Sequence, residues 1–313
     1  MADAPDDQLQ PILDLLADAP ALEHLGVDGA RQQFEALGSF APTYDVHDEV
    51  DITIPGPDGD LDARVFRAAA EARPTLLYFH GGGFVVGSID THANICQRLA
   101  EQSGWHVVSV AYRLAPEHPF PAALEDACAA AEWVADNPDA VGSDGTLAVG
   151  GDSAGGNLAA GVSLLARDTR EDSGSDLPDI AHQVLYYPVC GSPLAHYESR
   201  ESSETGYFLE QSTMEWFHDQ YVQSPVHNRN EYLAPLLVDD YTGLPSATVV
   251  TAGLDPLRDE GCAYAEALDD DGVDVFHAHY DSMVHGFVSF LGMVAAADDA
   301  VRATVSGLDA AID

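Results

Sequence analysis

Six short apolar runs recur between residues 76 and 280: LLYFH at 76–80, VVSVAY at 107–112, TLAVGG at 146–151, HQVLYY at 182–187, ATVVTAG at 247–253 and VDVFHAHY at 273–280. Between and after them lie segments of helical periodicity near 90–103, 119–136, 154–168, 259–271 and 294–310. Runs of strand length that are apolar almost throughout belong to strands covered on both faces. Their alternation with helices predicts an α/β fold with a largely parallel sheet and helices on both sides. Ahead of this series, alternating segments at 46–54 and 61–67 flank PGPDGD and read as a hairpin.

One interval breaks the rhythm. About 60 residues separate HQVLYY from ATVVTAG, far more than a usual connection, and they carry a helical pattern of their own in Met214, Trp216, Phe217 and Tyr221. We divide the chain into an N-terminal helical part at 1–45, a first core part at 46–189, an insertion at 190–235 and a second core part at 236–313. The N-terminal part shows helical spacing in Leu9, Ile12, Leu13 and Leu16, then in Leu22, Leu25, Phe34 and Leu37.

Charge constrains the surroundings. There are 53 Asp and Glu against 12 cationic side chains, all arginine, for a formal net charge of -41, and no lysine. A disordered acidic polymer would be poor in aromatic and apolar residues, whereas this chain has 12 Tyr, 11 Phe and 3 Trp and is 46% hydrophobic. The acid therefore belongs on the surface of a folded body, and we read it as adaptation to molar salt, where screening is short-ranged. Nucleic acid is an unsuitable partner, because phosphate would be repelled. MADAPDDQLQ lacks the basic and apolar regions of a secretory signal, and no apolar run approaches the roughly 18 residues of a membrane span. We expect a cytoplasmic protein with no membrane partner, and leave monomer and homodimer open. Cys96, Cys128, Cys190 and Cys262 are scattered without a C-x-x-C pair, so four reduced thiols are expected.

The chemistry-bearing residues cluster at strand ends. Gly151-Asp152-Ser153-Ala154-Gly155 is a G-x-S-x-G segment between an expected strand and an expected helix. A nucleophile on so tight a turn needs residues without bulk two before and two after it. His80-Gly81-Gly82-Gly83-Phe84 follows LLYF, and glycine N–H groups can approach a developing oxyanion with no side chain in the way. We assign that role to Gly82, Gly83 and Ala154. A phosphate loop would want Gly-Lys-Ser/Thr, and there is no lysine.

A serine nucleophile needs a base and the base an orienting acid, in chain order Ser, Asp/Glu, His for such a sheet. Asp255 lies just beyond ATVVTAG and is the first choice. Asp259, in the first turn of the next helix, is weaker, and Asp152 is too close to the serine to orient a histidine. His285, in a loop after the last strand and before Gly286, is the expected base. His277 and His279 share one face of a strand and would be a metal-ligand pair, but no third ligand of suitable spacing accompanies them. Neither metal nor cofactor is expected, and the remaining ten histidines have no comparable placement.

HGGGF at 80–84, YRLAPEHPFPAA at 112–123, GDSAGGN at 151–157, DPLRDEG at 255–261 and HGF at 285–287 together resemble the hormone-sensitive lipase-like carboxylesterases, the bacterial family IV of the α/β-hydrolases. The likeness runs from about residue 45 to the end. The acidic beginning and YFLEQSTMEWFHDQY at 207–221 are more loosely similar to the two parts of that family's cap. The resemblance implies an eight-stranded, mostly parallel sheet. It also implies a cap that lines the acyl and alcohol pockets, and cofactor-free hydrolysis of short-to-medium acyl esters, a small-molecule substrate. A related amidase, deacetylase or lactonase uses the same machinery, and plant hormone receptors keep the fold without hydrolysis.

A net charge of -41 on a 33.2 kDa chain makes self-repulsion a destabilising contribution that unfolding relieves. Near 1 M salt the screening length falls to about 3 Å, so the repulsion is suppressed. The melting temperature should therefore rise with KCl from about 0.1 M to about 2 M. A flat thermal scan across that range would refute the high-salt reading.

Overall fold

The computed structural model of the chain describes residues 4–17, 19–39, 41–170, 177–202 and 207–312. Residues 1–3 of the N-terminal stretch and 203–206 of the insertion lie outside this set. Eight strands form one sheet. They are β1 (Asp48–Gly56), β2 (Gly59–Arg67), β3 (Arg73–Phe79), β4 (His106–Val110), β5 (Ser143–Asp152), β6 (His182–Tyr186), β7 (Ser246–Leu254) and β8 (Val275–Val284). Their order is β1-β2-β4-β3-β5-β6-β7-β8. β2 runs antiparallel to both β1 and β4, and all other neighbours are parallel. The expected hairpin is tighter than PGPDGD suggested, with Gly56 facing Gly59 and only Pro57 and Asp58 between the strands.

The helices are α1 (Gln10–Ala17), α2 (Gly26–Gly38), α3 (Ala93–Ser103), α4 (Ala122–Asp136), α5 (Pro138–Val141), α6 (Ala154–Thr169), α7 (Glu198–Ser202), α8 (Gln211–Tyr221), α9 (Arg258–Asp270) and α10 (Ala295–Ala310). The two-residue period of the strands divides the core into two layers. Leu77, Phe79, Val108, Val149, Leu185 and Val249 point to the face covered by Leu124 and Ala127 of α4, Leu158 and Val162 of α6, and Tyr264 and Leu268 of α9. Leu76, Tyr78, Val107, Ala148, Val184 and Val250 point to the other face, under Ile95 and Leu99 of α3 and Ala297 and Val301 of α10. This two-sided burial is why the central strands read as unbroken apolar runs.

The small residues that open α6 let it lie unusually close to the sheet. A Cβ on Gly155 would sit 1.8 Å from the Phe79 carbonyl oxygen, and one on Gly151 would sit 2.4 Å from it. The end of β3, the end of β5 and the first turn of α6 are thereby packed backbone against backbone.

Segment 190–235 stands over this end of the sheet. Thr213 of α8 donates to Glu23 at 2.9 Å, tying the segment to the N-terminal helices. The Phe120 N–H donates to the Tyr221 carbonyl at 2.9 Å, and the Tyr221 ring stacks on Phe84 at 3.9 Å between centroids. At its other end Arg200 pairs with the buried Glu260, and the Ser199 N–H donates to Asp259 at 2.7 Å. Among the described residues no helix is long and apolar enough to cross a membrane, and all four cysteines are free thiols.

Candidate active site

Ser153 occupies the turn between β5 and α6 at φ 55°, ψ −114°. This is a conformation that a residue with a Cβ adopts only when its surroundings impose it. The Ser153 N–H donates to the Tyr186 carbonyl at 2.8 Å, and the Val189 N–H donates to the Ser153 carbonyl at 3.2 Å, so both backbone groups are spoken for. The side chain opens into a cavity of about 760 Å³.

His285 follows the end of β8. Its Nε2 lies 3.0 Å from Ser153 Oγ, and its Nδ1 lies 2.8 Å from Oδ2 of Asp255. Asp255 follows the end of β7 and is itself steadied by the Leu257 N–H, which donates to Oδ1 at 2.8 Å. A carboxylate facing Nδ1 favours the tautomer with its proton there, which leaves Nε2 free to accept from a hydroxyl. The three residues singled out from the sequence thus meet just beyond the ends of β5, β7 and β8, on one edge of the parallel part of the sheet. Asp259 does not meet them. It sits in the first turn of α9 and binds the Ser199 backbone and Arg258.

Gly82 and Gly83 line the same cavity, with φ of 114° and 59°. A Cβ on Gly82 would sit 2.2 Å from the Val86 carbonyl oxygen, and one on Gly83 would sit 2.2 Å from the Phe217 ring. No protein acceptor among the described residues takes the N–H of Gly82, Gly83 or Ala154. Ala154 opens α6, so its N–H is one of the helix's unsatisfied donors at the positive end of the dipole.

Behind these glycines lies a buried polar cluster that the sequence did not announce. Asp152 accepts from the Tyr78 hydroxyl at 2.8 Å and from the Gly81 N–H at 3.0 Å, and lies 3.3 Å from Nε2 of His92. Burial alone would lower the His92 pKa, but the Asp152 charge and hydrogen bond outweigh it and hold His92 above the ordinary histidine value. Burial would likewise raise Asp152, and His92 outweighs it and holds that carboxylate low. Neighbouring His80 is pushed down to about 3 by burial and by the His92 charge. It is neutral, its Nδ1 donates to the Gly81 carbonyl at 2.8 Å, and its own carbonyl accepts from Tyr112 at 2.7 Å. Asp152 is therefore an anchor for the glycine loop. Its partner His92 is 60 positions away along the chain and carries no motif, although HGGGF and YRLAP held the signals for His80 and Tyr112.

His277 and His279 are far from this cluster, on β8. The sequence offers no third ligand of suitable spacing beside them, and the fold brings Cys262 of α9 close to both. One donor atom from each of the three residues lies within 4.8 Å of the others. Sequence spacing missed it because the third residue comes from a helix packed across the sheet face.

Comparison with known proteins points the same way as the motifs. A family model described as the α/β hydrolase fold matches residues 76–289. A carboxylic ester hydrolase of Mycobacterium tuberculosis is 39% identical over 90% of this chain and 77% of its own length. An ethyl acetate hydrolase of Pseudomonas putida is 36% identical over 91% of this chain and 90% of its own. A solved hyperthermophilic esterase from Pyrobaculum calidifontis superposes with a TM-score of 0.90 at 42% identity, over 98% of each chain.

Two measurements follow from the geometry. Asp255→Asn should lower kcat for ester hydrolysis by about 10⁴-fold through the wrong His285 tautomer. Asp259→Asn should weaken the start of α9 and the Ser199 contact, with far less effect on turnover. A reversed ranking would mean that the acid is misassigned.

The His92–Asp152 pair makes a pH prediction. A histidine raised by folding stabilises the fold fully below its unfolded value, near 6.5, and loses that contribution as pH climbs through the folded value. A lowered aspartate contributes above about 3.8 and loses it only on deep acidification. The stability gap between the parent and His92→Gln, from urea midpoints in concentrated KCl, should therefore be larger at about pH 6 than at about pH 9. An equal or wider gap at the higher pH would contradict the pairing.

Proposed function

Because the chain belongs to the α/β-hydrolase family, among the hormone-sensitive lipase-like carboxylic ester hydrolases, we propose that its serine ester hydrolysis runs through Ser153, His285 and Asp255. We assign the oxyanion to the N–H groups of Gly82, Gly83 and Ala154. The observation that carries this reading is the continuous chain from Ser153 Oγ to His285 Nε2 at 3.0 Å and from His285 Nδ1 to Asp255 at 2.8 Å, at the floor of an open cavity.

In that arrangement Ser153 Oγ attacks the ester carbonyl carbon while His285 Nε2 takes its proton, and Asp255 stabilises the imidazolium. The carbonyl oxygen becomes negative as the bond forms, and N–H groups with no protein acceptor among the described residues are the donors we assign to it. His285 returns its proton to the leaving alcohol oxygen. Water, deprotonated by the same nitrogen, then attacks the acyl-serine, and His285 gives that proton to Ser153 Oγ as the acid leaves.

We read 1–45 and 190–235 as the two halves of a cap. Leu22 and Phe34 from the first, and Leu209, Met214 and Phe217 from the second, line the cavity. Such a wall suits acyl chains of short to medium length, and the ethyl acetate hydrolase among the relatives supports the short end. The surface we read as adapted to high salt, since the acids far outnumber the 12 arginines.

The test is a panel of nitrophenyl esters of increasing acyl length, with an anilide and a lactone beside them, in concentrated KCl. Turnover should be highest on short-to-medium esters, and Ser153→Ala should reduce kcat by on the order of 10⁴ to 10⁶ while the circular dichroism stays unchanged. A variant that keeps a tenth of the parent's turnover would remove Ser153 from the mechanism.

A further inference from the structure

Cys262, His277 and His279 converge on one atom. The Thr251 hydroxyl oxygen of β7 lies 2.8 Å from Nε2 of His277, 2.8 Å from Nδ1 of His279 and 3.7 Å from Sγ of Cys262. β8 runs parallel to β7 with His277 beside Val249 and His279 beside Thr251, so the two-residue period turns both imidazoles to the face on which α9 lies. α9 reaches that face closely because residue 261 is glycine: a Cβ there would sit 2.9 Å from the Thr251 methyl carbon. The next residue on the helix, Cys262, is thereby delivered beside the two histidines.

We propose that Cys262, His277 and His279 form a site for a divalent transition metal of the Zn²⁺ class, separate from the ester-cleaving residues. One thiolate and two imidazoles are the donors such ions favour, whereas Mg²⁺ and Ca²⁺ take oxygen sets. Zinc bonds of about 2.3 Å to sulfur and about 2.0–2.1 Å to nitrogen place tetrahedral ligand atoms roughly 3.3–3.8 Å apart. The present donors, within 4.8 Å of one another, need a contraction of at most about 1.5 Å. Side-chain rotation supplies this, since both histidines lie on the exposed edge strand. The thiol loses its proton to solvent as the metal–sulfur bond forms, and the fourth position falls to the Thr251 hydroxyl or a water. Nε2 of His279 faces Oδ1 of Asp281 at 3.4 Å, on the far side of the ring from Thr251. A carboxylate behind a ligating histidine orients the ring and strengthens the opposite nitrogen, here Nδ1, as a metal donor.

The competing explanation is a hydrogen-bond knot around Thr251, whose one proton and two lone pairs could serve the three partners without any metal. Cobalt distinguishes the two. Co²⁺ titrated into the reduced full-length chain in concentrated KCl, where screening weakens binding to surface carboxylates, should saturate at one equivalent. Saturation should bring the intense visible bands of tetrahedral cobalt and a near-ultraviolet thiolate-to-cobalt charge-transfer band, both displaced by Zn²⁺. Cys262→Ser should abolish the charge-transfer band. His277→Ala, at an exposed position that leaves the fold intact, should weaken cobalt binding at least tenfold, and Zn²⁺ should raise the melting temperature of the parent and of neither variant. Absence of the charge-transfer band, its survival in Cys262→Ser, or unchanged affinity in His277→Ala would each overturn the site.

Discussion

Backbone contact between the ends of β3 and β5 and the first turn of α6 sets the geometry on which everything else depends. Because Gly155 carries no side chain, α6 can begin against the Phe79 carbonyl, and Ser153 is held at a positive φ with its backbone bound to Tyr186 and Val189. The same contact brings the loop after β3, with Gly82 and Gly83, alongside the serine. A methyl group at 155 would separate these elements by more than an ångström, and an arrangement that depends on hydrogen-bond reach tolerates little of that.

Once the turn is fixed, a second layer keeps its neighbours in place. Asp152 precedes the serine and gathers the Tyr78 hydroxyl, the Gly81 N–H and His92 around its carboxylate. A carboxylate buried this deeply is tolerable only when it is paired and hydrogen-bonded. The other buried acids among the described residues obey the same rule. Asp126 pairs with Arg113, Glu260 with Arg200 and Asp255 with His285. In a chain with 53 acids and 12 arginines, these few partnerships separate acids with a structural position from the many that solvate the surface. Burial still pushes Glu260 above the ordinary carboxylate range despite Arg200. Its place between α9 and the Cys190 and Gly191 N–H groups makes it a tether for the insertion.

Much was legible in the residues alone because the demands were local. Strands covered on both faces must be apolar throughout, so the core strands stood out, and a tight strand-to-helix turn must have glycine at its shoulders, so Gly151 and Gly155 marked Ser153. Asp255 and His285 could be chosen among many acids and histidines because the ends of parallel strands share one edge of the sheet, and only a few residues follow those ends directly. The five ordered motifs carried the family for the same reason: each is a short backbone requirement written into contiguous sequence.

Contacts made across the fold left no such trace. His92, in the short turn Asp90–His92 before α3, meets Asp152 from 60 positions away, and Cys262 meets His277 and His279 because Gly261 lets α9 close on Thr251. The cavity wall likewise draws Leu22 and Phe34 from the chain's start and Met214 and Phe217 from its middle. Periodicity reveals that such helices have an apolar face, but not what that face will touch. Sequence alone determined the sheet, the serine turn and the order of the motifs, because backbone sterics and strand burial act over a few residues. Only the tertiary structure decided the partners of His92, the company of Cys262 and the lining of the cavity, because those depend on packing between segments that the chain keeps far apart.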